Sequence, residues 1–459
     1  MEFSASLRDN KVMRWSVLAI TSLTLFASYF FTDVLSPLED MLIRDLHWDG
    51  SQYGFFSGQY SFLNIIGFII LGGVILDRLG IRRTGLWFTI LMLLGASVKY
   101  YALTSYFNNG GFGYDFFNSF WVDFKPSVKL ASLGFMIFGL GSEMAGITLT
   151  KVVVKWFKGK ELALAMGLQV SVSRIGTAAV FVIAPAFAKT GGLTSPVIFG
   201  LVLIFIGLLS FIIYMIYDLK LDNQVQGLLA GEEEIFRWSD MTKVMANRGF
   251  VYISMLCVLF YACVFPFLKF ATNLMINKYG VSSDIAGEIV FILPFGTVLL
   301  TPIIGYFIDR KGKGASIMIL GSILLVLVHL VFAFLPGNIY FALGGMFILG
   351  VAFSLVPSAL WPAVPKIVPD QYLGSAFAMI FWVQNIGLWL FPMLIGSVRE
   401  WSNPGVSAAL QEGKDVLFDY TAPMFMLVLV GVVALLFAIL LRKADASKGY
   451  GLELPNERK

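Results

Sequence analysis

Residues 73–83 read Gly-Val-Ile-Leu-Asp-Arg-Leu-Gly-Ile-Arg-Arg, a short charged turn set between two apolar runs, 51–76 and 84–102. Each run is long enough to cross roughly 30 Å of hydrocarbon at about 1.5 Å per residue, so the turn joins two membrane spans. A link this short makes those spans antiparallel neighbours. A partial copy stands at 305–315, where Gly305, Asp309, Arg310 and Gly312 repeat Gly73, Asp77, Arg78 and Gly80. The copy then fades, with Gly314 opposite Arg82.

Working outward, further apolar runs fall at 15–38, 129–153, 161–186 and 194–217, and after a polar stretch at 250–274, 283–307, 315–335, 338–360, 374–398 and 421–441. The pattern predicts an all-α membrane protein of twelve transmembrane helices in two six-helix pseudo-repeats. Residues 1–217 form the first bundle and 249–441 the second. Between them, 218–248 read as a cytoplasmic linker with an acidic run, Glu232, Glu233 and Glu234, and room for a short amphipathic helix; 442–459 form a cytoplasmic tail. A second repeat signal supports this division: 156–176 align without gaps on 367–387, pairing Leu162 with Leu373, Ala165 with Ala376, and Ile175-Gly176 with Ile386-Gly387.

Composition excludes other classes. With 58% hydrophobic and 14% charged residues in 459, and a mean hydropathy of +0.80, lipid is the solvent for most of the chain. A net charge of +4, spread in short clusters beside apolar runs, argues against nucleic acid as a partner. The only cysteines, Cys257 and Cys263, fall on different faces of one helical run, and the only histidines are His47 and His329. No disulfide, metal or cofactor is expected, and no enzyme, since no nucleophile–base pair or ligand set occurs at a helical spacing. The run 15–38 is too long for a signal-peptide core and lacks a small-x-small cleavage site, so it is kept as a span.

Lysine and arginine set the orientation. With both termini cytoplasmic, Arg78, Arg82, Arg83, Lys155, Lys158, Lys160, Arg310, Lys311 and Lys313 lie in inner turns. The opposite loop, 103–127, is a surface excursion of unassigned role.

The run Gly73 to Arg83 resembles the signature turn of the major facilitator superfamily, G-x-x-x-D-R-x-G-x-R-R, at every defined position. The resemblance implies a gating role for Gly73, Asp77, Arg78, Gly80, Arg82 and Arg83, with Asp309 and Arg310 in the second copy. It also implies a latch from Asp77 to the positive N-terminal end of span eleven near Gly374. Four further segments resemble one branch of that superfamily, the major facilitator superfamily domain-containing protein 1 branch: Lys155-Trp-Phe-Lys-Gly-Lys-Glu-Leu running to Arg174-Ile-Gly, Val264-Phe-Pro-Phe, Leu360-Trp-Pro with Val368-Pro, and Gln384-Asn-Ile-Gly. Its animal members are lysosomal dipeptide transporters. The short stretch before Trp15 leaves no place for a lysosomal dileucine signal, so a bacterial cytoplasmic membrane is expected.

Charge within a span is costly unless it faces water or a partner. Glu143 and Arg174 stand about ten residues or more from the ends of spans four and five, near the midplane. They read either as an ion pair locking two helices or as separated ligands, Glu143 for an ammonium and Arg174 for a carboxylate; the branch carries a matching acid and base. Asp33 could bind a coupling proton, hold a substrate amine, or cap and pair locally. Lys99, Lys151 and Lys155 read as snorkelling anchors. Lys269 is evenly balanced, Glu288 interfacial, and His329 a packing residue. From the second half, Gln384 and Asn385, aligned with Ser173 and Arg174, and Trp361, where Pro362 can unwind span ten, are expected to read a peptide group. Tyr60 and Asn64, four residues apart on one face of span two, are weaker candidates, with interhelical hydrogen bonding as the alternative.

The expected function is secondary transport of a small amphoteric solute, foremost dipeptides, by alternating access, in a monomer whose partners are the substrate and the bilayer. An organic-anion or sugar-phosphate carrier, and a non-transporting sensor or accessory subunit, are the alternatives.

Overall fold

The computed structural model describes residues 7–157, 159–224 and 238–455, and among them every regular element is helical. A helix satisfies its own backbone N–H and C=O groups, as a span needs where no water is present. In chain order the helices are α1 (Lys11–Thr32), α2 (Glu39–Leu46), α3 (Gly50–Gly58), α4 (Phe62–Ile65), α5 (Phe68–Leu103), α6 (Ser105–Asn108), α7 (Tyr114–Asn118), α8 (Pro126–Phe157) and α9 (Leu162–Gly191). They continue as α10 (Thr194–Gln224), α11 (Trp238–Met245), α12 (Arg248–Tyr279), α13 (Ser283–Lys311), α14 (Gly314–Phe334), α15 (Ile339–Ile367), α16 (Leu373–Ser402), α17 (Val406–Gln411) and α18 (Thr421–Lys448). Eleven stretches among the described residues are long and apolar enough to span a membrane.

The remaining expected span, 51–76, is not one helix. It is built from α3, a 3-10 turn at Gln59–Ser61, α4, and the start of α5, with Gly67 left-handed at φ +99°. Local bonds replace the lost ladder: Gly67 N donates to Asn64 O at 3.3 Å and Ile70 N to Gly67 O at 3.0 Å. The signature turn is tighter than expected, because α5 carries spans two and three through a single non-helical residue, Gly80, at φ +74° and ψ 171°. Only glycine adopts that backbone without strain.

The chain forms two compact units, 1–35 with 59–233, and 36–58 with 234–459. In the first unit α1 packs on α9 and α10, while α8 packs on α5 and on the Gln59–Ser61 turn. One end of this unit closes over Trp156, Phe157, Tyr214 and Leu221, and Arg14 grips Glu161 there through contacts of 2.8–3.1 Å. That guanidinium holds the Glu161 carboxyl below its ordinary pKa. In the second unit α12 packs on α16 and α18, α14 on α15 and α18, and α13 on α15. Residues 36–58, first-half by sequence, fold onto α16 and α12 of this unit. The linker's short helix is α11; the acidic run Glu232–Glu234, and Lys158 of the basic turn, lie outside the described residues.

The two signature glycines have different physical roles. A Cβ at Gly73 would meet nothing within 4 Å. Gly80→Ala is therefore expected to cost about 1–3 kcal/mol and lower the thermal unfolding midpoint in detergent, with Gly73→Ala leaving it unchanged. Equal midpoints would refute the distinction.

Candidate functional site

The break in span two carries one of the sequence-predicted site residues, Tyr60. Tyr60, in the 3-10 turn, donates from Oη to Glu143 Oε1 at 2.9 Å and lies 3.0 Å from Ser142 Oγ. Ser142 in turn sits 2.5 Å from Ser28 Oγ of α1. Turn and helix approach backbone to backbone, since a Cβ on Gly139 would fall 2.0 Å from Tyr60 O. Arg174 is brought alongside α1 by α9, where a Cβ on Gly176 would stand 2.6 Å from Phe26 O. Tyr29 of α1 lies within electrostatic reach of Arg174, Glu143 and Asp33 together. The four residues singled out from sequence thus share one neighbourhood.

Glu143 and Arg174 are both partly exposed, and among the described residues the hydrogen-bond donor to Glu143 is the neutral Tyr60 rather than Arg174. Asp33 is 6% exposed and caps the C-terminus of α1. Asn64 is buried on α4, so it does not share an α-helical face with Tyr60: the 3-10 turn intervenes. Lys99 does not snorkel. It is fully buried between Phe31 and Phe135, 4.5 and 4.2 Å from their ring centres, and donates to Phe31 O at 3.3 Å. A cation at the carbonyl end of α1 complements the helix dipole.

In the second unit Trp361 donates to Tyr261 Oη at 3.0 Å and stacks on Phe381 at 5.0 Å. The expected unwinding near Pro362 is absent: α15 runs unbroken through Pro357, Pro362 and Pro365. Gln384 receives Cys257 Sγ at 3.6 Å, and Asn385, 3% exposed, bonds back to Phe381 O at 2.9 Å. His329 is packed between Phe267 and Phe332 with Nδ1 2.9 Å from Leu325 O, and Glu288 is exposed.

Among the gating candidates, Asp77 receives Lys151 Nζ at 2.8 Å within the first unit. Arg82 and Lys155 converge on two acids of α10: Arg82 lies 3.1 and 2.5 Å from Asp218 and Asp222, and Lys155 2.8 and 2.7 Å. Trp156 Nε1 adds a bond to Asp218 at 3.2 Å. Lys151 and Lys155 are therefore paired, not snorkelling. Asp218, placed at the head of the linker from sequence, is instead a nearly buried acid inside α10 that joins the signature turn to the Lys155-Trp156 segment. Arg78, Arg83 and Arg310 are exposed, the last 4.6 Å over Tyr306.

The Major Facilitator Superfamily model matches residues 21–392 and 270–454. The chain belongs to the Major Facilitator Superfamily. It is an integral membrane transporter by that membership, and its relatives include the lysosomal dipeptide transporter MFSD1 of Danio rerio, 29% identical over 82% of this chain and 78% of the relative, and that of Mus musculus, 30% identical over 84% and 80%. These names place the relatives in lysosomes, not in a bacterial membrane. A bacterial homologue of the human lysosomal transporter Spinster shares the fold at TM-score 0.69, with 16% identity over 95% of this chain and 98% of its own, as does the D-xylose-proton symporter at 0.68, with 16% identity over 92% and 97%.

The turn that presents Tyr60 depends on a glycine opposite it. Gly139→Ala should displace Tyr60 and cost about 1–3 kcal/mol in the same unfolding assay, whereas Gly146→Ala, whose nearest neighbour is 3.9 Å away, should be silent. A silent Gly139→Ala would show that the turn is free to shift.

Proposed function

We propose that this superfamily member carries dipeptides by alternating access, with Glu143 taking the α-ammonium and Arg174 the α-carboxylate. The observation that supports this reading is the engagement of Glu143 by a neutral hydroxyl, with Arg174 close by around Tyr29. A carboxylate held by a tyrosine keeps its charge available for a cation, and a free dipeptide carries one charge of each sign. The naming of relatives as dipeptide transporters points the same way. Gln384, Asn385 and Trp361 are proposed to read the peptide group. The clustering of Arg82 and Lys155 at the end of the first unit that holds Trp156 and Leu221 supports a cytoplasmic position for that end.

Binding to purified protein, measured by thermal shift, tests the assignment. Glu143→Gln should bind free dipeptides poorly yet lose little for an N-acetylated one, and Arg174→Gln should behave likewise toward C-terminal amides. Removing half of a buried charge contact costs about 2–5 kcal/mol, well over tenfold in affinity. Folded variants that bind free dipeptides as tightly as the parent would overturn it, as would a parent stabilised by sugar phosphates or carboxylates alone.

Asp33 is proposed as the coupling carboxylate. Uptake into proteoliposomes should follow an inward proton gradient, and Asp33→Asn should keep exchange while losing accumulation; gradient-independent uptake by the parent would mark a facilitator and remove this role.

A further inference from the structure

The loop joining α5 to α8 is unusual in composition. Of the twenty-five residues 103–127, nine are aromatic, against 15% in the whole chain, and only Asp115, Asp123 and Lys125 are charged. Its polar groups are spent inward. Thr104 caps α6 through Phe107 N at 3.3 Å, and Asn108 Nδ2 donates to Ala102 O and Thr104 O at 3.0 and 2.9 Å. Lys129, nearly buried in the first turn of α8, donates to Phe117 O at 2.5 Å and to Phe120 O, with its ammonium 4.7 Å over the Phe120 ring. Phe107 is buried beneath, its ring centre 5.5, 5.7 and 6.5 Å from those of Tyr101, Tyr114 and Phe117.

The apolar groups are turned outward on this framework. Tyr106 and Phe116 are exposed, as are Phe112 at 86%, Trp121 at 64% and Val122 at 82%. Phe116 and Trp121 are joined through Phe120, at 5.5 and 6.1 Å between ring centres. A contiguous exposed apolar face marks an interaction surface. What it meets follows from its continuity with α5. Trp87, Leu94 and Tyr101 recur every seventh residue and so share one face of that helix. Trp87 and Leu94 are exposed, as apolar side chains that meet lipid on a span are. Tyr101 carries the stripe into the loop, its ring centre 6.2 Å from that of Tyr106 and its hydroxyl donating to Phe112 O at 3.0 Å.

We propose that the 103–127 loop is a membrane-docking platform, with Tyr106, Phe112, Phe116, Trp121 and Val122 seated in the interface between headgroups and acyl chains beside span three. Tyrosine and tryptophan favour that depth because each ring joins an apolar body to a polar tip. With one base against two acids in the loop, and Lys129 turned inward, apolar burial rather than attraction to anionic headgroups holds it there. The platform is independent of which solute is carried.

Trp121 reports its own position. Full-length protein is placed in phosphatidylcholine nanodiscs carrying a nitroxide either near the headgroups or at the chain ends, with iodide as the aqueous quencher. The fluorescence of the parent less that of Trp121→Phe isolates this indole from the ten tryptophans of the chain. The headgroup-level nitroxide should reduce that signal about twofold, the chain-end nitroxide clearly less, and iodide hardly at all. Should Trp121→Phe fail to fold, bimane on Val122→Cys reads the same quenchers, since the native Cys257 and Cys263 are buried. Quenching by iodide alone would put the face in water and overturn the platform. Protection from every quencher would mean that a second protein copy covers it, and stronger quenching from the chain ends would place it in the hydrocarbon core; either result also overturns the assignment.

Discussion

A charge left alone in hydrocarbon costs several kcal/mol, and the way each inward charge is compensated organises this protein. Arg14 has a carboxylate, Lys99 has two aromatic faces and a helix carbonyl, Arg82 and Lys155 share two acids, and Arg399 has Glu39. Glu143 differs from these. Its hydrogen-bond donor among the described residues is an uncharged tyrosine, which orients the carboxylate without neutralising it. That difference in kind, more than its midplane depth, is what supports the proposal that Glu143 receives a cation.

The second constraint is the backbone. Hydrocarbon tolerates interrupted helices only where protein or a watery cavity receives the freed groups, so a break marks a place where something besides lipid is present. The break at Gln59–Ser61 is such a place: α8 comes so close that Gly139 faces a carbonyl, and the turn aims Tyr60 at Glu143. The same turn ends the segment that leaves the first unit for the second. The geometry of Tyr60 at Glu143 and the point where the chain leaves the first unit are therefore set by one short stretch.

Hydropathy and the signature turn made the helical membrane class and the family legible, because both are written in composition and in glycine and charge spacing. Glu143 and Arg174 became candidates because charges in mid-span stand out. The break in span two was not, since no proline announces it and a 3-10 turn leaves the apolar run intact. Glu39 and Arg399 were overlooked for a related reason. Each sits one residue past the apolar runs 15–38 and 374–398, where charge is ordinarily interfacial, but α16 continues to Ser402 and α2 folds Glu39 against it. Lys99, Lys151 and Lys155 were discounted by the same rule of distance from a span end, which considers lipid and water but not a protein partner.

The fading of the second signature copy also has a physical cause. In the first unit, Arg82 and Lys155 close on Asp218 near the end of α10. In the second, Lys366 takes the place of Lys155, at the same spacing that relates 156–176 to 367–387, and donates to the carbonyls of Gly451 and Leu454 at 3.1 and 3.0 Å. Asp445 near the end of α18 accepts the Leu452 N–H at 3.0 Å, and Glu453 caps α14 through Ser316 N and Oγ at 2.7 and 3.0 Å. The tail beyond α18 thus ties α14, α15 and α18 together at this end, where the first unit uses the Arg82 ion pairs. It lies so close that a Cβ on Gly314, the counterpart of Arg82, would stand 2.8 Å from Leu452 O, and one on Gly312 2.3 Å from Glu453 O. An arginine at position 314 would collide with the folded tail, so the loss of the basic residue and the presence of that tail go together, and the Glu453 carboxylate stands at the N-terminus of α14, where the helix dipole favours an anion.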